Sequence, residues 1–356
     1  MPSFLESMRT KCHAYFVRKV AKRAQRNGYT LESPTQRQLI KIPSRDRGRS
    51  IRIWAYAHPD WERSLKRPVL VNWHGSGFTV GGFGLDHVWC TQVAHDLGMW
   101  VIDADYRKGP EDPFPAAVHD AEDVLRWVSS RPDLFDLTRV AVSGFASGGT
   151  LALVAASTLR RQIQGINIRI PVVFYPVTNY DVDPAEKEPP RRERFVPLPT
   201  TTVRFFNKCY LPKGIDRGDP RVSPDMSDLE AFPDYVVIIT AEYDMFAPEA
   251  LELAGNLRNG RRTVVSLMQR GVNHGFDKSP ANASHEERRR GFAYAMGVDH
   301  LQNALRSFPI YNPHLARHVG DAERLRAVLQ DPYPGYDHSR MNQRLNNQRF
   351  RIIERV

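Results

Sequence analysis

Val142-Ser143-Gly144-Phe145-Ala146-Ser147-Gly148-Gly149 is the stretch on which the fold turns. It follows a short apolar run at 140–143 and leads into an apolar helical pattern over 149–161. Small residues gathered around one position between a buried strand and a helix are what a nucleophile elbow requires. Gly144 and Gly148 set the register of the pattern G-x-S-x-G, and the nucleophile position falls on residue 146. Residue 146 is alanine.

Outward from this point the chain alternates. Apolar runs at 51–56, 69–73, 100–104, 140–143, 170–175, 235–240 and 264–268 read as strands. The central ones are continuous and rich in Val and Ile, the pattern of strands buried on both faces. Between them, 116–130, 149–161, 248–259 and 285–307 read as helices. Such alternation predicts an α/β fold, a mostly parallel sheet with helices on both faces. Residues 4–26 form a further helical pattern, with Phe4, Leu5, Met8, Cys12, Tyr15, Phe16 and Val20 at three-and-four spacing. Arg9, Lys11, Arg18, Lys22 and Arg26 fall largely on its other side, so it is expected to pack its apolar face on the body, with a membrane-surface helix as the competing reading. The segment 181–199, dense in Pro, Glu and Arg, reads as an exposed insertion, and after Pro309 the pattern dissolves apart from a helical piece near 321–329.

The 356 residues carry 50 Lys and Arg against 40 Asp and Glu, a formal charge of +10 that invites a nucleic-acid reading. Its distribution argues otherwise. Residues 1–30 hold +6 and residues 311–356 hold +3, leaving +1 on everything between. A nucleic-acid binder is expected to carry a basic stripe on its folded body, so no nucleic-acid partner is predicted. No apolar run is long enough to span a bilayer, which predicts no stable membrane insertion. The start lacks the charge and apolar block of a signal peptide. Cys12, Cys90 and Cys209 are far apart and fit a reducing compartment, so the expected location is cytoplasmic.

Four segments at strand ends carry the chemistry. His74-Gly75-Ser76-Gly77-Phe78 follows the strand at 69–73, where glycines let backbone N–H groups approach a ligand oxygen, the layout of an oxyanion hole. The elbow at residue 146 is second, Glu242-Tyr243-Asp244 third, and Asn273-His274-Gly275-Phe276 fourth. Elbow, acid and histidine stand 98 and 30 residues apart in the chain order used by α/β-hydrolases. In that reading His274 is the general base and Asp244 holds its tautomer.

The sequence resembles the hormone-sensitive-lipase-like branch of the α/β-hydrolases. His74 to Phe78 is similar to its H-G-G-G-F segment, with Ser76 at the middle glycine. Asp105-Tyr106-Arg107 followed by Gly109-Pro110-Glu111-Asp112-Pro113-Phe114-Pro115-Ala116-Ala117 resembles its D-Y-R-x-x-P-E-x-x-F-P-A-A stretch. Asp219-Pro220-Arg221-Val222-Ser223-Pro224 and Thr240-Ala241-Glu242-Tyr243-Asp244 match later blocks, so the similarity runs in order over 69–276.

The resemblance implies an α/β-hydrolase fold with N-terminal cap helices at 1–45, a hydrolase domain at 46–310 with a cap insertion at about 180–212, and a basic extension at 311–356. It implies backbone N–H groups of Ser76, Gly77 and Ser147 as the oxyanion hole, with His74, Gly75, Gly144 and Gly148 in support. It also places 4–26 and 180–212 over the substrate, with Phe205, Phe206 and Tyr210 as apolar wall. The implied activity is serine carboxyl-ester hydrolysis of a small to medium apolar ester, with no metal and no cofactor, and with a homodimer left open. The family's elbow has serine where this chain has Ala146. Three readings follow: a substituted nucleophile, a natural non-catalytic ligand-binding relative, or Ser147 as nucleophile. An acyl-transfer or cyclisation enzyme on the same fold is a further alternative.

Overall fold

The apolar runs assemble into one eight-stranded sheet in a computed structural model that describes residues 4–25, 35–57, 66–192, 198–278 and 284–305. Its strands are β1 (Gln36–Pro43), β2 (Ser50–Ala57), β3 (Arg67–Trp73), β4 (Trp100–Ala104), β5 (Phe135–Phe145), β6 (Ile168–Phe174), β7 (Tyr235–Ala241) and β8 (Thr263–Gln269). They lie in the order β1-β2-β4-β3-β5-β6-β7-β8. Pairing is parallel from β4 through β8 and antiparallel where β1 meets β2 and β2 meets β4. The mostly parallel sheet is therefore as expected. β1 was not expected: its alternation of polar and apolar residues and its terminal Pro43 suit an edge strand, where one face is solvated.

The helices are α1 (Phe4–Gln25), α2 (His87–Leu97), α3 (Ala116–Ser129), α4 (Ser147–Val154), α5 (Thr200–Tyr210), α6 (Ala247–Leu257) and α7 (Ser284–Ala304). α4 runs on into a wider π-helical turn, Ala155–Leu159. The sequence pattern missed α2 and α5. α2 buries Trp89, Cys90, Val93, Ala94 and Leu97 and ends at Gly98, whose φ of +58° stops the helix. One side of the sheet packs on α3, α4 and α6 through residues such as Val124, Leu151 and Leu253. The other packs on α2 and α7, where Trp89, Phe145, Phe174 and Tyr294 form an aromatic cluster. With both faces covered, β3, β6 and β7 are buried almost throughout, which is why they read as unbroken apolar runs.

α1 departs from its pattern. Met8, Tyr15 and Phe16, read as its inward face, are 49%, 59% and 70% exposed, and Cys12 is exposed as well. The helix docks instead through buried Ala14 and through Arg18, which donates to the carbonyls of Thr79 and Gly109 and pairs with Glu111. Three polar contacts from one guanidinium have set the orientation that apolar spacing predicted wrongly. The basic extension at 311–356 and its helical piece lie outside the described residues, as does part of 1–45. No described helix is long and apolar enough to cross a membrane.

Candidate active site

In a parallel sheet, ligands bind at the carboxyl ends of the strands. The loops after β3, β5, β7 and β8 converge there. Ala146 follows β5 directly and caps α4 at φ +48° and ψ −116°, a conformation costing about 1–3 kcal/mol for a residue with a Cβ. Its N–H donates to Phe174 O at 3.0 Å and its carbonyl accepts from Thr150 N at 3.0 Å, so both sides of the bend are clamped. Gly148 has no choice of residue: a Cβ there would stand 1.9 Å from Trp73 O. The elbow read from the sequence is thus built, strain included, around an alanine.

Asp244 lies just past β7 and His274 past β8. The His274 Nδ1–H donates to Asp244 Oδ2 at 2.7 Å, while Asp244 Oδ1 accepts from Phe246 N at 3.0 Å. Asp244 is 1% exposed. Burial of the imidazole disfavours its charged form, but the Asp244 carboxylate, with Asp277 adding, outweighs burial and raises its pKa. The ring is held between Tyr175 and Phe246, at centroid distances of 4.8 and 5.5 Å, both edge-on. Because Nδ1 carries the proton donated to Asp244, Nε2 is left as the basic nitrogen.

The loop after β3 crosses the elbow, so that a Cβ on Gly75 would lie 3.5 Å from Ala146 Cβ. Gly77 has φ +54°, and a Cβ there would strike the Phe206 ring of α5, so the cap rests on the loop's glycine. His74 is fully buried, with Nδ1 3.0 Å from Gly75 O and its ring stacked on Tyr106. Burial and the nearby Lys108 ammonium keep its pKa below the ordinary value, against the opposing pull of Asp105. Ser76 differs from expectation. Its N–H donates to Ser147 Oγ at 2.9 Å instead of standing free. The Gly77 and Ser147 amides have no protein acceptor among the described residues. Ser147 Oγ itself is buried against Ser76 and Tyr106, turned under the loop.

A cavity of about 240 Å³ opens over these groups, lined by Gly75 to Gly77, Ala146, Ser147 and His274 and by Val80, Leu85, Val203, Phe206 and Phe246 among others. The expected insertion contributes Tyr180, Pro184, Lys187 and Leu198, besides α5. Of the three expected wall aromatics only Phe206 lines the cavity. Phe205 packs tilted against His13 of α1 at 4.1 Å, and Tyr210 stacks on Phe78 at 3.7 Å inside the core. No described side chain of α1 lines it. Helical spacing could not separate wall from packing.

A family model for the α/β-hydrolase fold matches residues 70–278. The chain belongs to the α/β-hydrolase fold family. The ethyl acetate hydrolase of Pseudomonas putida is 29% identical over 242 residues, 67% of this chain and 74% of that one. An esterase of Pyrobaculum calidifontis superposes with TM-score 0.66 at 30% identity, over 80% of this chain and 94% of its own. A thermostable carboxylesterase from a metagenomic library gives 0.70 at 26% identity, over 83% and 98%.

This α/β-hydrolase also lines its cavity with charges that motif reading passed over. Lys278 sits between Asp86 and Asp277 at 2.7 Å from each, and 3.8 Å above the Phe145 ring. Burial opposes the charge on Lys278, but the two carboxylates raise its pKa regardless. Asp277 also accepts from Tyr175 and Tyr294, and Asp86 accepts from Asn72. Across the cavity, Lys187 pairs with Glu249, whose pKa burial pushes up to about 7. Only the adjacency of Lys278 to the His274 motif hinted at any of this.

Proposed function

We propose that this is the site of a serine carboxyl-ester hydrolase whose nucleophile position carries alanine. One observation carries the reading: Ala146 is held in a strained bend of φ +48° on a cavity it shares with His274, which is bound to Asp244. No packing need accounts for that strain on a methyl group. A side chain that must stand alone in a cleft does. Relatives named as an ethyl acetate hydrolase and as esterases support the same class of chemistry.

With serine at 146, His274 Nε2 takes the hydroxyl proton as oxygen attacks the ester carbonyl. The carbonyl oxygen becomes an anion facing backbone N–H groups, among them those of Gly77 and Ser147. His274 returns the proton to the leaving alcohol, and water releases the acyl group by the same steps. Asp244 keeps the imidazole oriented and stabilises its charge. Ser147 does not substitute as nucleophile, because its oxygen is turned under the loop. As it stands the chain binds an ester without cleaving it. The size and apolar walls of the cavity favour a small to medium acyl ester.

The test is Ala146→Ser, assayed on p-nitrophenyl acetate, butyrate and octanoate. Turnover that appears with the serine supports the reading, and a serine variant that folds yet shows none overturns it. Labelled water then separates the chemistries: the isotope enters the released acid in hydrolysis and is absent from product in intramolecular acyl transfer.

A further inference from the structure

Three buried hydroxyls meet beneath the oxyanion loop. Tyr106 Oη donates to His74 O at 2.6 Å, which uses its only proton. Where Ser76 Oγ, at 2.8 Å from Tyr106 Oη, or Ser147 Oγ, at 3.2 Å, bonds to that oxygen, the serine is therefore the donor, and the two serine oxygens also stand 3.4 Å apart. Ser147 Oγ keeps its lone pairs for the Ser76 N–H, at 2.9 Å. Every hydroxyl proton in the cluster then has an acceptor within it. The arrangement depends on a hydroxyl at residue 147, immediately after the nucleophile position, and on no other side chain for the Ser76 amide.

We propose that the Ser147 hydroxyl is a positioning residue that holds the Ser76 N–H away from the substrate, leaving the Gly77 and Ser147 N–H groups as a two-donor oxyanion hole. This rests on the esterase reading above. A third backbone donor is present in the loop but is turned inward by a neutral acceptor. A developing oxyanion is a stronger acceptor than a hydroxyl, yet reaching it would require the Ser76 peptide to break an existing bond and turn. That reorganisation is what a preorganised hole avoids.

Ser147→Ala removes the acceptor and strands no other buried donor, since Tyr106 still bonds His74 O and Ser76 Oγ. In the Ala146→Ser background it is expected to raise kcat about tenfold with KM unchanged, less than the ~10²–10³ carried by a fully committed donor. Ser147→Cys, of similar size but a weak acceptor, is expected to give a smaller rise. A Cys rise equal to the Ala rise assigns the effect to packing and overturns the proposal. The second measurement is made on the chain with Ala146 in place: amide hydrogen exchange at Ser76, by NMR, should be slow and should accelerate in Ser147→Ala. Unchanged exchange overturns the hydrogen-bonded latch whether or not any variant turns over ester. Accelerated exchange with an unchanged or lowered kcat overturns the claim that the N–H is withheld from catalysis. If Ala146→Ser is inactive, the esterase reading fails on its own, and the exchange result alone still decides the latch.

Discussion

The loops ending β3, β5, β7 and β8 and the N-terminal helix α1 are held by different means. The strand-end loops are fixed by backbone clearance and buried polar pairs: a Cβ on Gly148 would stand 1.9 Å from a carbonyl oxygen, and Asp244 is 1% exposed where it holds His274. The described part of α1 is held by a few rim contacts, Arg18 on Glu111 and two carbonyls, and His13 on Phe205, besides buried Ala14. Clearance and burial admit few residue types, so they leave a mark on sequence. Rim contacts admit many. The strand-end loops should therefore respond to substitution steeply, and α1 gently.

The steepest response belongs to the elbow. Ala146→Ser should raise ester turnover by up to about 10⁶, the size of the loss when a triad nucleophile is removed. Adding Asp244→Asn to that variant should lower kcat by about 10⁴, since the amide presents His274 with the wrong partner and tautomer. Initial rates on p-nitrophenyl butyrate read both, and a mild effect of Asp244→Asn would place the acid elsewhere.

Gly148→Ala tests the clearance itself. The added methyl meets backbone, which has nowhere to yield, so unfolding free energy should fall by about 4 kcal/mol or more. Thermal melting of the chain with Ala146 measures this without any activity. A loss under about 1 kcal/mol would mean that the strand and helix can separate, and the elbow argument would weaken with it.

A smaller effect concerns pH. His274 must be neutral to accept the nucleophile's proton, so activity of the Ala146→Ser variant falls as pH drops through its pKa. Burial pulls that value down, and Asp244 and then Asp277 push it up by more, to a net rise above 6.5. The acid limb should therefore have its midpoint above 6.5, and Asp277→Asn should move it down. A midpoint that stays put or rises in Asp277→Asn would remove Asp277 from the field at His274.

The same contrast explains what the chain could disclose in advance. The parallel sheet was legible because strands buried on both faces must be apolar throughout, and the elbow because Gly144 and Gly148 have no substitutes. Asp244 and His274 were found by order and spacing, which the fold imposes. The Ser76 amide was read as an oxyanion donor, and its bond to Ser147 Oγ was not foreseen, since hydrogen bonds between distant residues leave no period in a sequence. Lys278 and Asp86 were missed for a related reason: their pairing joins positions far apart in the chain, and neither residue type is unusual in a loop. α1 was misread because apolar spacing predicts which face can be buried, and not whether a docking surface exists for it. Ala14 and Arg18 settled the matter at Thr79, Gly109 and Glu111.

That last point yields the gentlest prediction. Arg18→Ala removes the ion pair with Glu111 and the donors to Thr79 O and Gly109 O, but both charges are partly exposed, at 29% and 44%. Exposed pairs contribute about 0–1 kcal/mol, so the melting temperature should move by only a few degrees. Met8, Tyr15 and Phe16 face outward and add no burial to the helix. Local opening should respond far more than global stability: hydrogen exchange over Met8 to Lys19 should accelerate while exchange in β3 and β5 stays unchanged. If α1 keeps its protection without Arg18, then Ala14 and the His13–Phe205 contact suffice to dock it, and the helix is bound by packing after all. If protection in β5 is lost together with that of α1, the two regions unfold as one unit, and the division between a steep region and a gentle one does not hold.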